Sequence, residues 1–182
     1  MAQPYLLPSL QTARLLLRPF ATADVAALHA IMNEPGMMRY FPTTTAPDLA
    51  RVERTVVRQI EVGEQYGRAF WALEWPADGS LLGWCGLQYL PETEETEVGY
   101  LLTRSYWGRG LATEAARAAV AYGFATFQLP EIIGITHPEN RRSQHVLEKC
   151  GLHFTAATRY FEMDCFRYAI SRGLHAGISA GD

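Results

Sequence analysis

Residues 106–113 read Tyr-Trp-Gly-Arg-Gly-Leu-Ala-Thr, a Gly-x-Gly turn that runs directly into a helical pattern. Before it, Glu97-Val98-Gly99-Tyr100-Leu101-Leu102 has the character of a strand. After it, Ala112, Ala115, Ala116, Ala119, Val120, Gly123 and Phe127 recur at the three-and-four spacing of a helix with one buried face. Strand, glycine turn and helix start together aim several backbone N–H groups and the positive end of the helix dipole at one spot. Such an arrangement suits phosphate or pyrophosphate. Taken alone, the same turn is equally consistent with glycine used only for its backbone conformation.

Two familiar phosphate-binding patterns do not match. A dinucleotide fold wants a third glycine for close helix–strand packing, and that position is Thr113, past the chain midpoint. A P-loop wants a lysine after its last glycine, whereas the single lysine of this chain is Lys149.

A second segment narrows the choice. Glu131-Ile132-Ile133-Gly134-Ile135-Thr136 reads as a buried strand. The run from His137 to Gly151 then reads as a turn, an N-cap at Asn140, a short helix and a glycine stop. Ser143 lies three and four residues before Val146 and Leu147, so it borders the helix face that turns inward. Arg141 and Arg142 occupy the first turn, where the helix dipole favours acids. Basic residues there make sense when an external anion sits at the helix start, and Arg104 and Arg109 add charge at the glycine turn.

Three runs in this order, Glu-x-Gly-Tyr from Glu97, Tyr-Trp-Gly-Arg-Gly-Leu-Ala-Thr-Glu-Ala from Tyr106 and Asn-x-x-Ser-x-x-Val-Leu-Glu-Lys-Cys-Gly from Asn140, resemble the GNAT superfamily of acetyl-CoA-dependent N-acetyltransferases. The resemblance is nearest to the branch of ribosomal-protein N-terminal alanine and serine acetyltransferases. That branch also shares Thr-Ala-Arg-Leu-Leu-Leu-Arg-Pro-Phe from Thr12 and Asn-Glu-Pro-Gly-Met-Met-Arg-Tyr from Asn33. It covers about residues 10–172. It implies an α+β fold with a mixed, largely antiparallel central sheet of about seven strands, splayed at the cofactor site and flanked by about four helices.

The implied activity is transfer of the acetyl group of acetyl-CoA to a primary amine, a protein N-terminus or a small molecule, by direct attack on the thioester. No metal is implied. The backbone amides of Gly108, Arg109, Gly110, Leu111, Ala112 and Thr113 would cradle the pyrophosphate. Tyr100, Leu101 and Leu102 would offer backbone contacts to the pantetheine arm and the acetyl oxygen, with Gly99 permitting a bulge that frees such groups. Asn140 would hold the arm from the other side, and Arg142 would add charge.

An amine is cationic at neutral pH, so a base must take a proton, directly or through water, and the leaving thiolate benefits from an acid. Glu97 is the candidate base, because it precedes Gly99 on the strand facing the thioester and partial burial would raise its pKa. Its alternative is a solvated carboxylate in the acidic run Glu92, Glu94, Glu95, Glu97. Many family members carry a tyrosine seven residues after the asparagine. Here that position is Leu147, which leaves Ser143 as acid or as hydrogen-bond donor to sulfur. Trp107 stands where the wider superfamily has glutamine or arginine, and tryptophan there agrees with the ribosomal-protein branch. The loop of residues 33–45 is the expected acceptor wall, with Trp71, Trp84, Tyr40 and Phe41 as possible lining or as core.

Elsewhere the chain shows no repeat, low-complexity segment or boundary, and its 182 residues suit a single domain with a loose tail at residues 173–182. Strands are expected at about residues 14–20, 69–75, 81–90, 95–102, 131–136, 152–161 and 165–172. Helices are expected at 22–33, capped by Thr22, and at 47–64, with Pro47 in the first turn, besides the two named above. A net charge of −3 argues against nucleic acid as partner. Cys85, Cys150 and Cys165 lack metal or redox spacing and read as buried reduced thiols of a cytoplasmic protein. No signal-peptide pattern and no membrane-spanning run is present. A non-catalytic acyl-CoA-binding module is the competing function, and monomer or homodimer is left open.

Overall fold

The computed structural model of the chain describes residues 6–179. Among these, eight strands form one sheet in the order β1-β2-β3-β4-β5-β6-β8-β7. The strands are β1 (Leu10–Gln11), β2 (Leu16–Arg18), β3 (Phe70–Trp75), β4 (Ser80–Leu90), β5 (Glu95–Leu102), β6 (Glu131–Thr136), β7 (His153–Tyr160) and β8 (Met163–Ser171). Every pairing is antiparallel except β5 with β6. The helices are α1 (Val25–Met32), α2 (Leu49–Tyr66), α3 (Leu111–Phe127), α4 (Arg141–Lys149) and α5 (Arg172–Ser179).

The expected mixed, largely antiparallel sheet is present, with one short edge strand and one helix beyond the expected number. β1 has only two residues, too few for any periodicity to declare it. The stretch from Gly173, expected to be loose, is helical as far as Ser179. Arg172 begins that helix and ties it back to the α3–β6 turn by donating to the carbonyls of Leu129 (3.1 Å) and Phe124 (3.2 Å). Residues 180–182 lie outside the described residues.

Period-two alternation assigns the strands' side chains to two layers. On one face Val98 and Leu102 of β5 and Ile132 of β6 bury against Leu111, Ala115, Ala116, Ala119 and Val120 of α3 and Leu147 of α4. The small α3 side chains let the helix lie close to the sheet. A Cβ at Gly123 would come within 2.7 Å of Leu87 and 2.9 Å of Ile132. The opposite face carries α1 and α2, with Phe20, Leu28, Val52, Val56 and Ala72 as its core.

Helix starts differ from the sequence expectation in detail. A short 3-10 turn over Thr22–Asp24 precedes α1, and the Asp24 carboxylate, not Thr22, accepts from the turn's leading N–H, that of Ala21, at 2.8 Å. Burial would push the Asp24 carboxyl up, but the bidentate Arg18 guanidinium and that N–H outweigh it and hold it below its ordinary value. Pro47 stands before the cap of α2, and Asp48 fills the cap by accepting from Arg51 N–H at 2.8 Å. No helix among the described residues is long and apolar enough to cross a membrane.

Candidate active site

The site begins where the sheet comes apart. β4 and β5 pair at every position from Leu90↔Glu95 to Gly83↔Leu102, whereas β5 and β6 meet only at Glu97↔Ile133. Beyond that bridge the two strands diverge, and backbone groups on one side of β5 lose their partner strand. Arg167 of β8 pins the closed end, donating to Glu95 of β5 (2.8 Å) and to Glu131 of β6. The β4–β5 register is unbroken at Gly99, so the splay, not a bulge, frees this edge. Alternate residues of an antiparallel strand direct their N–H and C=O groups to opposite sides, so only part of the Tyr100, Leu101 and Leu102 backbone can face the opening.

Glu97 and Ser143 approach the split from opposite faces. Glu97 shares its face with Leu101, which buries against Ile31 and Met37 on the α1 side. Glu97 is of intermediate exposure as a residue, but its carboxyl is enclosed. Desolvation pushes it up to about 8, opposed by a hydrogen bond from the backbone of Ile135 and assisted by the charge of Glu95. The acidic run is therefore divided: Glu92 and Glu94 are solvated, Glu95 is paired with Arg167, and Glu97 faces the split.

Tyr100 lies on the other face, against α4. Its hydroxyl stands 2.8 Å from Ser143 Oγ and 3.0 Å from the Ser143 carbonyl oxygen. This phenol was missed as a functional group, since a tyrosine within a strand is ordinary and only tertiary packing brings residues 43 apart together. Leu147 is 1 % exposed and belongs to the core. Asn140 caps α4 as expected: its side-chain oxygen accepts from Ser143 N–H at 3.2 Å, which leaves its NH2 group for other partners. Three residues past the Glu97↔Ile133 bridge along each strand come Tyr100 on β5 and Thr136 at the end of β6. Among the described residues Thr136 Oγ1 is a buried side-chain oxygen without a hydrogen-bond partner.

The glycine turn lies at the open end. Gly108 (φ +74°) and Gly110 (φ +78°) are both left-handed, a conformation that costs any residue with a Cβ. Gly110 is the N-cap of α3 and supplies no side-chain cap, unlike Asp48 of α2 and Asn140 of α4. The first N–H groups of α3, those of Leu111, Ala112 and Thr113, are thus left for another acceptor. A Cβ at Gly108 would meet nothing within 4 Å, so the space over the turn is open. Together with the unpartnered Thr136 hydroxyl, that open cradle fits a ligand carrying both a pyrophosphate and an amide-bearing arm.

Three sets of contacts hold the turn and its surroundings in place. Trp107 donates its indole N–H to the carbonyl of Leu102 at 2.7 Å, with the guanidiniums of Arg104 and Arg142 about its ring at 5.5 and 5.1 Å. Arg14 donates to the Arg109 carbonyl at 2.8 Å while paired with Glu114 of α3 at 2.6 Å. Glu34 accepts from Thr103 Oγ1 (2.5 Å) and from Arg104 N–H (2.9 Å), fastening the loop of residues 33–45 to the end of β5. Midway along, this loop stacks Tyr40 on His137 with centroids 5.3 Å apart, so it reaches from the end of β5 to the segment that follows β6. No local pattern announces the Arg14 or Glu34 contacts, whose partners lie about 70 to 100 residues away.

Of the aromatic residues considered for the slot, Trp71 is fully buried on the α3 face and bonded to Pro8, so it is core. Trp84, Phe41 and Phe70 are partly exposed on the Glu97 face, where Phe70 and Trp84 stack at 4.3 Å over Gly99. The three cysteines are free and buried, and burial pushes each thiol up, Cys150 to about 12. None is poised as a thiolate nucleophile.

Residues 14–153 match the family model described as an acetyltransferase (GNAT) domain. The chain belongs to the GNAT acetyltransferase family. It is 30% identical over 146 residues to the spermidine N(1)-acetyltransferase of Escherichia coli (strain K12), covering 80% of this chain and 75% of that protein. A solved acetyltransferase from Agrobacterium tumefaciens is 30% identical, with a TM-score of 0.79 over 91% of this chain and 95% of its own. The ribosomal-protein-S5-alanine acetyltransferase from Vibrio fischeri shares the fold at a TM-score of 0.75 and 15% identity, covering 90% of this chain and 96% of its own. This GNAT chain is accordingly an acetyl-CoA-dependent N-acetyltransferase, which decides against a non-catalytic binding module.

Proposed function

We propose that this GNAT enzyme acetylates a primary amine, a protein N-terminus or a small molecule, by direct attack of the amine on the thioester of acetyl-CoA. The observation that carries this reading is the split between β5 and β6, with Glu97 on one face and Ser143 on the other. Pyrophosphate rests on the amides of Gly108 to Thr113 at the uncapped start of α3. Arg109 and Arg142 supply charge around that start, and the NH2 group of Asn140 meets the pantetheine arm. The arm runs along the freed edge of β5 at Tyr100, Leu101 and Leu102, with the Thr136 hydroxyl available to one of its amides.

The acceptor approaches from the Glu97 face, beneath the loop of residues 33–45. A base poised near neutrality takes the ammonium proton efficiently, and the carboxyl of Glu97 lies in that range. The N–C bond then forms as the C–S bond breaks, and the sulfur departs on the side of Ser143.

The test is release of free CoA with pooled amines and N-terminal peptides, followed by deconvolution of the active pool. Cofactor choice is checked separately by thermal melts. Acetyl-CoA at a hundredfold excess over its dissociation constant is expected to stabilise the fold by about 2.7 kcal/mol. A shift with NAD and none with acetyl-CoA sinks the assignment.

A further inference from the structure

We propose that the phenol of Tyr100 supplies the proton for the departing thiolate, relayed through Ser143. The inference rests on acetyl transfer at this same site and adds the source of the proton. In the acetyl-transfer reading above Ser143 Oγ faces the leaving sulfur, yet an isolated serine hydroxyl is a poor acid. It is not isolated: the Tyr100 oxygen lies 2.8 Å from it, within normal O–H···O range.

A phenol has one proton and two lines of donation here. In one arrangement Tyr100 donates to the Ser143 carbonyl at 3.0 Å and Ser143 Oγ–H points back at the phenol. In the other, Tyr100 donates to Ser143 Oγ, and the serine proton is free to turn toward the split. A negative sulfur developing there favours the second arrangement, because a charged acceptor attracts a hydrogen bond about twice as strongly as a neutral one. The chain Tyr100 O–H···Ser143 Oγ–H···S is then continuous. Leu147 occupies the position seven residues after Asn140 with a side chain that carries no proton to give. Of the thiols near Tyr100, that of Cys150 donates instead to the Thr113 carbonyl at 3.6 Å, and Cys85 is wholly buried.

The balance is complete. The ammonium proton passes through Glu97 to water before attack. The neutral amine nitrogen then bonds to the acyl carbon and gives a second proton to Glu97 as the amide forms, while the C–S electron pair passes to sulfur. Sulfur takes the proton of Ser143, and Ser143 takes that of Tyr100. The proton that Glu97 removed from the amine returns through water to the tyrosinate once the products leave. The Tyr100 side chain thereby acts as a positioning and proton-supplying group through Ser143 and does not itself touch the substrate.

Tyr100→Phe keeps the ring and its packing while deleting the proton. It is expected to lower kcat by about tenfold to a hundredfold, with the KM for acetyl-CoA unchanged. Ser143→Ala is expected to do the same, and the double variant to lose no more than the worse single one, since both changes break one chain. Measurement of kcat against the deuterium fraction of the solvent tests the parent without any substitution, and two protons in motion give a curved dependence. Parental kcat in Tyr100→Phe, a loss confined to KM, losses that multiply in the double variant, or a linear deuterium dependence each overturn the relay. A parent that releases no CoA with any amine overturns acetyl transfer itself, which is a different result from all of these.

Discussion

Glu97→Gln is expected to cut the turnover number about a hundredfold while leaving affinity for acetyl-CoA close to that of the parent. The substitution keeps the shape of the side chain and removes its ability to hold a proton. The folded carboxyl titrates at about 8 because enclosure beside the split disfavours its charge. With an acceptor amine already neutral across the range, activity of the parent should rise with pH through about 8, and this limb should vanish in the variant. Stability gives an independent readout. In the unfolded chain the group titrates near its ordinary value of 4.5, so between 4.5 and about 8 the unfolded state has lost a proton that the folded state keeps. Folding stability contributed by this residue therefore falls as pH rises through that window. Melts of parent and variant should diverge in slope there, the variant being the flatter. Normal turnover together with parallel pH dependences would return Glu97 to the solvated acids of its run.

Replacement of Gly110 is expected to abolish acetyl-CoA binding. Backbone N–H groups at the start of α3 have no side-chain cap, and their value as an anion site depends on unobstructed approach. A valine at φ +78° would both block that approach and strain the turn. Gly110→Asn separates the two effects, because asparagine tolerates the left-handed region at little cost while still filling the space. Both variants should lose binding by titration calorimetry, with Asn retaining nearly the parental melting temperature. Arg109→Ala should weaken binding only modestly and make it less sensitive to salt, since it removes one exposed charge that ions already screen. An asparagine variant that binds as well as the parent would reduce Gly110 to a turn residue.

The parts of this protein legible in its sequence are those in which the determining interactions are local. Gly108 and Gly110 announce the turn because only glycine adopts positive φ freely. Asn140 announces the start of α4 because its side chain caps an N–H three residues on. The three-and-four spacing in α3 and the alternation of the long strands place these elements close to where they lie, and with the motif runs they carry the family and the mixed sheet. What the sequence left undecided has partners distant along the chain. Whether Glu97 is a solvated acid or an enclosed one depends on Ile135, Glu95 and the single β5–β6 bridge. That Tyr100 meets Ser143, that Glu34 ties the loop of residues 33–45 to the end of β5 and that Arg14 braces the glycine turn follow from packing, with separations of 43, 69 and 95 residues. The segment after Arg172 was expected to be loose because its own residues form no strong pattern, and anchorage of Arg172 to the α3–β6 turn makes it a helix. Local propensity determined the elements of this acetyltransferase, while the split in its sheet and the groups that face it were decided by the tertiary structure, because burial and long-range pairing exist only after the chain has closed on itself.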